Sequence, residues 1–450
     1  MSSITFLGAS GTVTGSSFLL TTYSGMKVLI DMGMFQGNED SDYLKNFDIQ
    51  FEPSEINCVL LTHAHIDHCG RLPMLAGSGF KGKIYTTEAS VRIMEIALYD
   101  SARIAKDYHA ERPLYLARDV DSILTHVKTV KYNQSFEIGE LTVTYKDAGH
   151  ILGSAFIEIV EKSPSGTKKI IFSGDIGNYP EEIVNPTEFP TDADYVVMES
   201  TYGDTVHPSE DTIGIIQNEI NTIERSGDAL LIPSFAIDRT QTLLYIIKKL
   251  KMENKIDYQT PVYLDSPMGI RVTEVYKGFR SLYNPEIYNL SKNDNPFDFA
   301  GLEMVEEGRA SDHIRHHKGP KIILAGNGMV SGGRILKHVV NYMSFANTRM
   351  LIVGYQAEGT FGRQLLEGVK VLEIDKKIVR IKGNIKEIKG LSAHADQTKL
   401  LKWLGSISGV KKVFLVHGED VARECLVDKI KETNKSIEVI LPNLTEVSTI

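Results

Sequence analysis

The run LTHAHIDHCG at positions 61–70 constrains this chain more than any other feature. It places His63, His65, Asp67 and His68 within six residues of a 450-residue sequence that holds only 13 histidines. Neutral imidazole and carboxylate together suit zinc or a similar first-row ion. His63 and His65 alternate, so both can point to one side of an extended segment. Asp67 and His68 follow the turn and can face a second ion. The run is preceded by CVLL (58–61), a short apolar stretch with the length and β-branching of a buried strand.

The same arrangement, a strand that runs into a titratable side chain, recurs along the chain. KVLI (27–30) leads into Asp31, KIIF (169–172) through Ser173 and Gly174 into Asp175, YVVM (195–198) into Glu199, and KVFLV (412–416) into His417. LTVTY (141–145) is followed shortly by Asp147 and His150. Side chains of this kind at the carboxyl ends of several strands are how an α/β architecture assembles one site from distant sequence, so these segments are expected to converge. Six or seven ligands from four segments exceed the needs of one tetrahedral zinc, which favours a two-metal site.

A second set of apolar runs, ALLIPSF, PVYLDSP, KIILAGNG and RMLIVGYQ, lies between 229 and 355, with the amphipathic stretches 240–251 and 334–343 among them. This is the βαβ pattern of a mostly parallel sheet. Its strand ends carry no histidine. The block therefore reads as a separate α/β domain inserted into the first, which His417 and its neighbours complete.

Composition sets the outer limits. The length allows about three domains, and 42% hydrophobic with 24% charged residues fits a folded chain. There is no basic leader with an apolar stretch and no apolar run near the ~18 residues of a membrane span, so neither export nor membrane insertion is expected. Cys58, Cys69 and Cys425 have no disulfide or zinc-knuckle spacing, which fits a reducing cytoplasm. A net charge of −9 argues against bulk electrostatic coating of nucleic acid and leaves room for a local basic groove.

Taken together, H-x-H-x-D-H, His150 in DAGHILGSA, Asp175 in FSGDIG and Asp31 in LIDMG resemble the metallo-β-lactamase fold. Glu199 in MESTYG, His394 in GLSAHAD and His417 in FLVHGE are similar to motifs A, B and C of its β-CASP branch of nucleic-acid nucleases, and PSFAIDRTQ, DSPMG, GNGMVSGGR and GYQAEGTFGRQ resemble the inserted cap. The resemblance implies a four-layer αββα metallo-β-lactamase core (1–207 and 369–450) interrupted by an α/β cap (208–368). It implies that His63, His65 and His150 hold one Zn2+, that Asp67, His68 and His417 hold the other, with Mn2+ as the alternative metal, and that Asp175 bridges them. Asp31 would orient a ligand, and the Glu199–His394 pair would steady a phosphate or protonate the leaving oxygen. Asp67, Glu199, His394 and Asp31 are thus the expected catalytic set. His417 at motif C, where DNA-directed members tend to have Val, implies single-stranded RNA as substrate. With no KH-like leader and little chain after the last strand, the compact RNA processing exonuclease type fits better than the longer archaeal cleavage factors or ribonuclease J. That type suggests 5′-to-3′ exonuclease action with endonuclease cutting beside it. Rival expectations are a dinuclear-zinc ester or thioester hydrolase, which would leave the cap and the Glu199/His394 pair unexplained, and an inactive RNA-binding subunit, which would usually have lost ligands.

Fainter signals fall in the cap. Ser331, Gly332 and Arg334 lie in a Gly-rich strand-to-helix turn suited to a phosphate, and Ser266 stands before Pro267 at a helix start. Arg239 and Arg363 are candidates for a cap groove, and Ser392 adjoins motif B. The sequence departs from the common pattern at Asp238, where many relatives have Gly, and at Phe361, where Leu is frequent. His313, His316 and His317 read as a solvated basic stretch, and Trp403 as core. The charged stretch 370–389 reads as a charged sheet edge, with an RNA-facing rim or the subunit-facing rim of a homodimer as alternatives.

Overall fold

A computed structural model describes residues 1–37, 40–108, 111–164, 166–179, 182–356 and 359–450. The chain divides into two compact units, Met1–Val206 with Ala393–Ile450, and His207–Ser392.

The first unit contains two seven-stranded sheets. One comprises β1 (Ser3–Phe6), β2 (Phe18–Thr21), β3 (Lys27–Ile30), β4 (Cys58–Leu60), β5 (Lys83–Thr87) and β6 (Val127–Val130) in that order, with β22 (Val447–Thr449) beside β1. The other follows the order β21 (Glu438–Ile440), β20 (Lys412–Val416), β11 (Tyr195–Glu199), β10 (Gly166–Phe172), β9 (Ala155–Ser163), β8 (Leu141–Asp147) and β7 (Phe136–Ile138). Strict alternation along β8 buries Leu141, Val143 and Tyr145 against Ile4, Phe6, Leu20 and Ile30 of the facing sheet, so the sheets form a sandwich with a shared apolar core. On the outer face of the second sheet, Ile171, Val196 and Leu415 pack with Leu400 and Trp403 of the helix Gln397–Gly405 and Leu426 of the helix Asp420–Thr433. The helix Glu88–Tyr108 packs on β5 and β6. The result is the expected four-layer αββα order.

Strand direction is what creates a site. β3 and β4 run parallel in one sheet, and β8, β10, β11 and β20 share one direction in the other, because β8 and β10 are both antiparallel to β9 while β10, β11 and β20 are mutually parallel. All six expected strands therefore deliver their carboxyl ends to a common edge of their sheet. The backbone joins the sheets there, with Ala155 N–H donating to the Thr62 carbonyl at 3.0 Å.

The second unit is built on a parallel sheet of order β14 (Leu302–Met304), β13 (Val262–Asp265), β15 (Lys321–Ala325), β12 (Ala229–Pro233), β16 (Arg349–Ile352) and β19 (Asn384–Glu387). Residues 369–392, expected to return to the first domain, lie in this unit instead. β19 extends the sheet beside β16, and the hairpin β17 (Val371–Ile374) to β18 (Lys377–Arg380) adds Leu372, Ile374 and Val379 to its core. β19 is the sheet's edge, in keeping with the charged-edge reading, and its Lys386 lies 3.8 Å from Glu219. Asp238 sits at φ +68°, ψ −61°, with Arg239 N–H donating to the Ile237 carbonyl at 2.9 Å. This is a γ-turn geometry that glycine adopts without strain, which explains the preference for Gly there.

No helix among the described residues is long and apolar enough to cross a membrane. Trp403 is fully buried, stacks edge-on to Phe156 at 5.5 Å and donates Nε1–H to the Glu188 carbonyl at 3.2 Å. Trp403→Ala is expected to cost about 3–5 kcal/mol in a denaturant titration, through lost burial and the cavity left behind.

Candidate metal centre

Ten expected residues come together in the first unit: Asp31, His63, His65, Asp67, His68, His150, Asp175, Glu199, His394 and His417. His63 Nε2 and His150 Nε2 each lie 3.1 Å from His65 Nδ1, and 3.4 and 3.5 Å from Asp175 Oδ2. On the other side of the carboxylate, Asp175 Oδ1 lies 3.2 Å from His68 Nε2 and 3.7 Å from His417 Nδ1. His417 Nε2 is 3.3 Å and His68 Nε2 4.0 Å from Asp67 Oδ2. Asp175 thus turns one oxygen to each set of imidazoles. Both oxygens are buried, and neither makes a hydrogen bond among the described residues.

The outer hydrogen bonds fix which imidazole nitrogens face inward. Thr62 donates its N–H and Oγ1–H to the two oxygens of Asp31, both at 2.8 Å. Its hydroxyl proton being committed, Thr62 Oγ1 accepts from His63 Nδ1–H at 3.0 Å, which leaves a lone pair on His63 Nε2. His150 Nδ1–H donates to the Ala393 carbonyl at 3.1 Å, and His68 Nδ1–H to Asp31 Oδ2 at 2.8 Å. Thr201 Oγ1–H donates to the His417 carbonyl at 3.1 Å, so its oxygen accepts from His417 Nδ1–H at 3.0 Å and frees Nε2 toward Asp67. Thr62 and Thr201 carry no motif signal of their own. Their positions, next to His63 and two residues after Glu199, are the only sequence clue to these roles.

Lone pairs and carboxylate oxygens facing one another in a buried site repel unless a cation lies among them. Four atoms at 2.0–2.1 Å from a tetrahedral zinc would stand about 3.3 Å apart, close to the 3.1–3.5 Å spacings around His63, His65, His150 and Asp175. The donor set fits a metal ion. Burial, reinforced by neighbouring imidazoles, holds His63 down to about 3, and burial holds His65 down to about 4 and His150 well below the usual histidine range, so all three remain neutral and able to ligate. Burial also opposes a charge on His68, but Asp175 and Asp31 outweigh it and raise its pKa well above the ordinary value. Protein charges alone put a proton where a metal ion would compete for the nitrogen.

His394 stands beside this cluster. Its Nδ1–H points to Glu199 Oε2 at 3.3 Å, and Glu199 Oε1 accepts from Ile176 N–H at 2.5 Å. Burial disfavours an imidazolium here, but Glu199 and Asp175 prevail and raise His394 to about 9. Two residues of the cluster hold left-handed backbones, Asp31 at φ +58° and His417 at φ +48°, which L side chains adopt at a cost. His417 is pinned by its N–H to the Ala9 carbonyl at 2.7 Å, and Asp31 by its N–H to the Leu60 carbonyl at 3.1 Å.

The cap candidates fare differently. Ser266 is buried, and its Oγ accepts from Gly269 N–H at 3.1 Å as the helix cap of Pro267–Gly278. Ser331 is exposed and Gly332 extended at the start of the helix Gly333–Tyr342, while Ser392 closes the second unit and has a partner of its own. Arg334 is not free to receive a phosphate: it grips Asp265 Oδ1 at 2.5 Å and the Val305 carbonyl at 2.7 Å, and also reaches the Glu306 carbonyl. Arg363 pairs with Glu367 at 2.6 Å. Asp265 further accepts from Ser311 at 2.6 Å and His338 at 2.7 Å.

Three family models match the chain: a metallo-beta-lactamase superfamily domain at residues 19–201, a Beta-Casp domain at 240–365, and a Zn-dependent metallo-hydrolase RNA specificity domain at 378–442. Similar curated proteins include ribonuclease TTHA0252 of Thermus thermophilus, 37% identical over 92% of either chain. An RNase J-like protein of Methanocaldococcus jannaschii is 32% identical over 87% of either chain. Transcription termination factor FttA of Methanococcus maripaludis is 30% identical over 92% of this chain and 66% of its own length. A crystal structure of a protein of unknown function from Enterococcus faecalis V583 matches the whole chain with a TM-score of 0.57 at 14% identity, a likeness of fold.

Two outcomes test these packing assignments. A Cβ at Gly33 would lie 1.5 Å from the Asp67 carbonyl oxygen, so Gly33→Ala is expected to displace the Asp67 turn and lower zinc uptake measured by elemental analysis. In the cap, burial raises the pKa of Asp265, but its bonds to His338, Ser311 and Arg334 outweigh that and depress it below the ordinary carboxyl range. Its stabilisation is therefore present above about pH 4 and lost as pH falls through the lower folded-state value. Wild type should lose more Tm on acidification than Asp265→Asn.

Proposed function

Because the chain belongs to the β-CASP family of the metallo-β-lactamase superfamily, we propose that it is a metal-dependent ribonuclease that hydrolyses RNA phosphodiester bonds, with two zinc ions as its resident metals. His63, His65, His150 and Asp175 would hold one ion, and Asp67, His68, Asp175 and His417 the other. The observation that carries this reading is the buried carboxylate of Asp175, without a hydrogen bond among the described residues and with one oxygen turned to each imidazole set. Zinc in such a centre polarises a phosphoryl oxygen and acidifies water to near neutral pH.

The protein's own residues do the remaining work. Neutral His63 and His150 present lone pairs to the centre, since Thr62 and the Ala393 carbonyl take their outer protons, and His65, neutral as well, faces both through Nδ1. Asp31 holds His68 through Nδ1, and Thr201 holds His417. His394, kept protonated by Glu199, would steady the phosphate or protonate the leaving 3′ oxygen. Similarity to ribonucleases over nine-tenths of the chain supports RNA as substrate, as does the RNA specificity model at 378–442. Action proceeds 5′ to 3′ from an RNA end, with internal cutting as a second mode, and the protein works in the cytoplasm.

RNA labelled at either end, with matched DNA, tests the reading. The zinc-loaded protein should shorten RNA from its 5′ end and leave DNA intact, and about two zinc ions per chain should accompany turnover. Chelation or Asp67→Ala should abolish cutting, and His394→Ala should slow it by roughly a hundredfold or more. Unchanged RNA turnover in His394→Ala would remove the proton-donor role.

A further inference from the structure

Of the acids that follow or end strands in the first unit, Asp31, Asp175 and Glu199 meet imidazoles of the candidate centre. Asp147, the last residue of β8, meets none of them among the described residues. It is nonetheless 9% exposed. Burial pushes its carboxyl up to about 7, helped by the charge of Glu188 and opposed by the bonds from Gly149 and Asn185. The fold therefore holds an acid where a carboxylate is disfavoured, and such a group calls for a reason.

The reason lies in the backbone that follows. Residues 148–151 leave β8 and carry His150 into the centre. Ala148 N–H donates to the Ser154 carbonyl at 3.2 Å, and the N–H groups of His150 and Ile151 donate to Ser154 Oγ at 3.1 and 3.2 Å. Between them, Gly149 N–H donates to Asp147 Oδ1 at 2.9 Å. Gly149 turns there at φ +62°, and a Cβ on it would lie 2.4 Å from Thr187 N. On its other side, a Cβ on Gly177 would stand 1.7 Å from the Gly149 carbonyl oxygen. The turn is wedged between residues 185–188 and the segment that carries Asp175, and Asp147 fastens it to the first of these. Its carbonyl accepts from Glu188 N–H at 2.9 Å, and its N–H donates to Glu188 Oε1 at 3.1 Å. Glu188 is held in turn by Asn133 Nδ2–H at 3.1 Å, with Lys146 Nζ 3.8 Å away. Among the described residues the outer edge of the His150 ring has one bond, from Nδ1–H to the Ala393 carbonyl. Where His150 Nε2 stands therefore depends on where this turn puts its backbone, and metal bonds tolerate errors of only about 0.2 Å.

We propose that Asp147 is a positioning residue for zinc at the His63, His65 and His150 set: its carboxyl oxygen fixes the Gly149 turn, and the turn aims His150 Nε2. The inference rests on the metal-centre reading and adds to it an acid that sets one ligand's place without touching the metal. An Asp oxygen that accepts from the N–H two residues ahead closes a tight turn, and an acceptor able to ionise holds that N–H more strongly than a neutral one. Groups that orient a ligand from behind tune metal affinity without entering the coordination shell.

The full chain tests this by zinc competition against a chromogenic chelator, with melting curves for each variant and RNA turnover at limiting and at excess zinc. Asp147→Ala should weaken one of the two zinc sites roughly ten- to a hundredfold and leave the other as in wild type. Its RNA turnover, low at limiting zinc, should return when zinc is in excess. Asp147→Asn keeps an acceptor oxygen for Gly149 N–H and should recover most of the lost affinity. A merely structural role would move melting and both zinc sites together. An Asp147→Ala protein with both sites as in wild type overturns the assignment, as do equal losses at both sites, an Asp147→Asn protein as weak as Asp147→Ala, and an Asp147→Ala protein without a cooperative melting transition. A wild type that takes up no zinc removes the metal-centre reading and this inference with it, whereas equal uptake by wild type and Asp147→Ala removes this inference alone.

Discussion

A carboxylate taken out of water and given no hydrogen bond is among the costlier arrangements a fold can contain, and among the described residues Asp175 is such a group, within the first unit. The structure tolerates it because imidazoles from distant strands surround it and hold it ionised despite burial. Outer partners turn one ring nitrogen of His63, of His150 and of His68 toward it. Net positive charge at its two oxygens is the condition on which this arrangement depends. Metal ions among these donors would meet that condition, and protons on His68 and His394 meet part of it.

The remainder of the first unit can be understood as what is needed to deliver those imidazoles. A sandwich core dominated by Ile, Leu, Val and Phe fixes two sheets, and parallel strands bring their carboxyl ends to one edge. Where the chain must turn at once into the site, at Asp31 and His417, the backbone is left-handed and short hydrogen bonds hold it there. Strain of this kind is expected where the position of a side chain matters more than the comfort of the backbone. Thr62 and Thr201 show how little is needed to set a tautomer: one hydroxyl whose proton is already committed elsewhere.

The cap follows a different economy of charge. Asp265 draws Arg334, His338 and Ser311 into one buried cluster, and Glu219 holds Arg349 at 2.6 Å.

The sequence by itself determined the class of fold and the inventory of the site. H-x-H-x-D-H, and the habit of strands ending in Asp, His or Glu, are local patterns, and period-two apolar runs such as LTVTY survive in any context. It also determined that the middle block is α/β, since alternating strands and amphipathic helices need no partner to be recognised. Tertiary structure decided what depends on proximity between residues far apart in the chain. Residues 369–392 fall in the second compact unit because β19 finds β16, a pairing that the lysine-rich stretch 370–389 does not announce. Arg334 lies in a glycine-rich turn suited to a phosphate, and only the position of Asp265 shows that its guanidinium is clamped within the unit instead. Residue type and spacing are properties of the chain. Which donor meets which acceptor is settled only by packing.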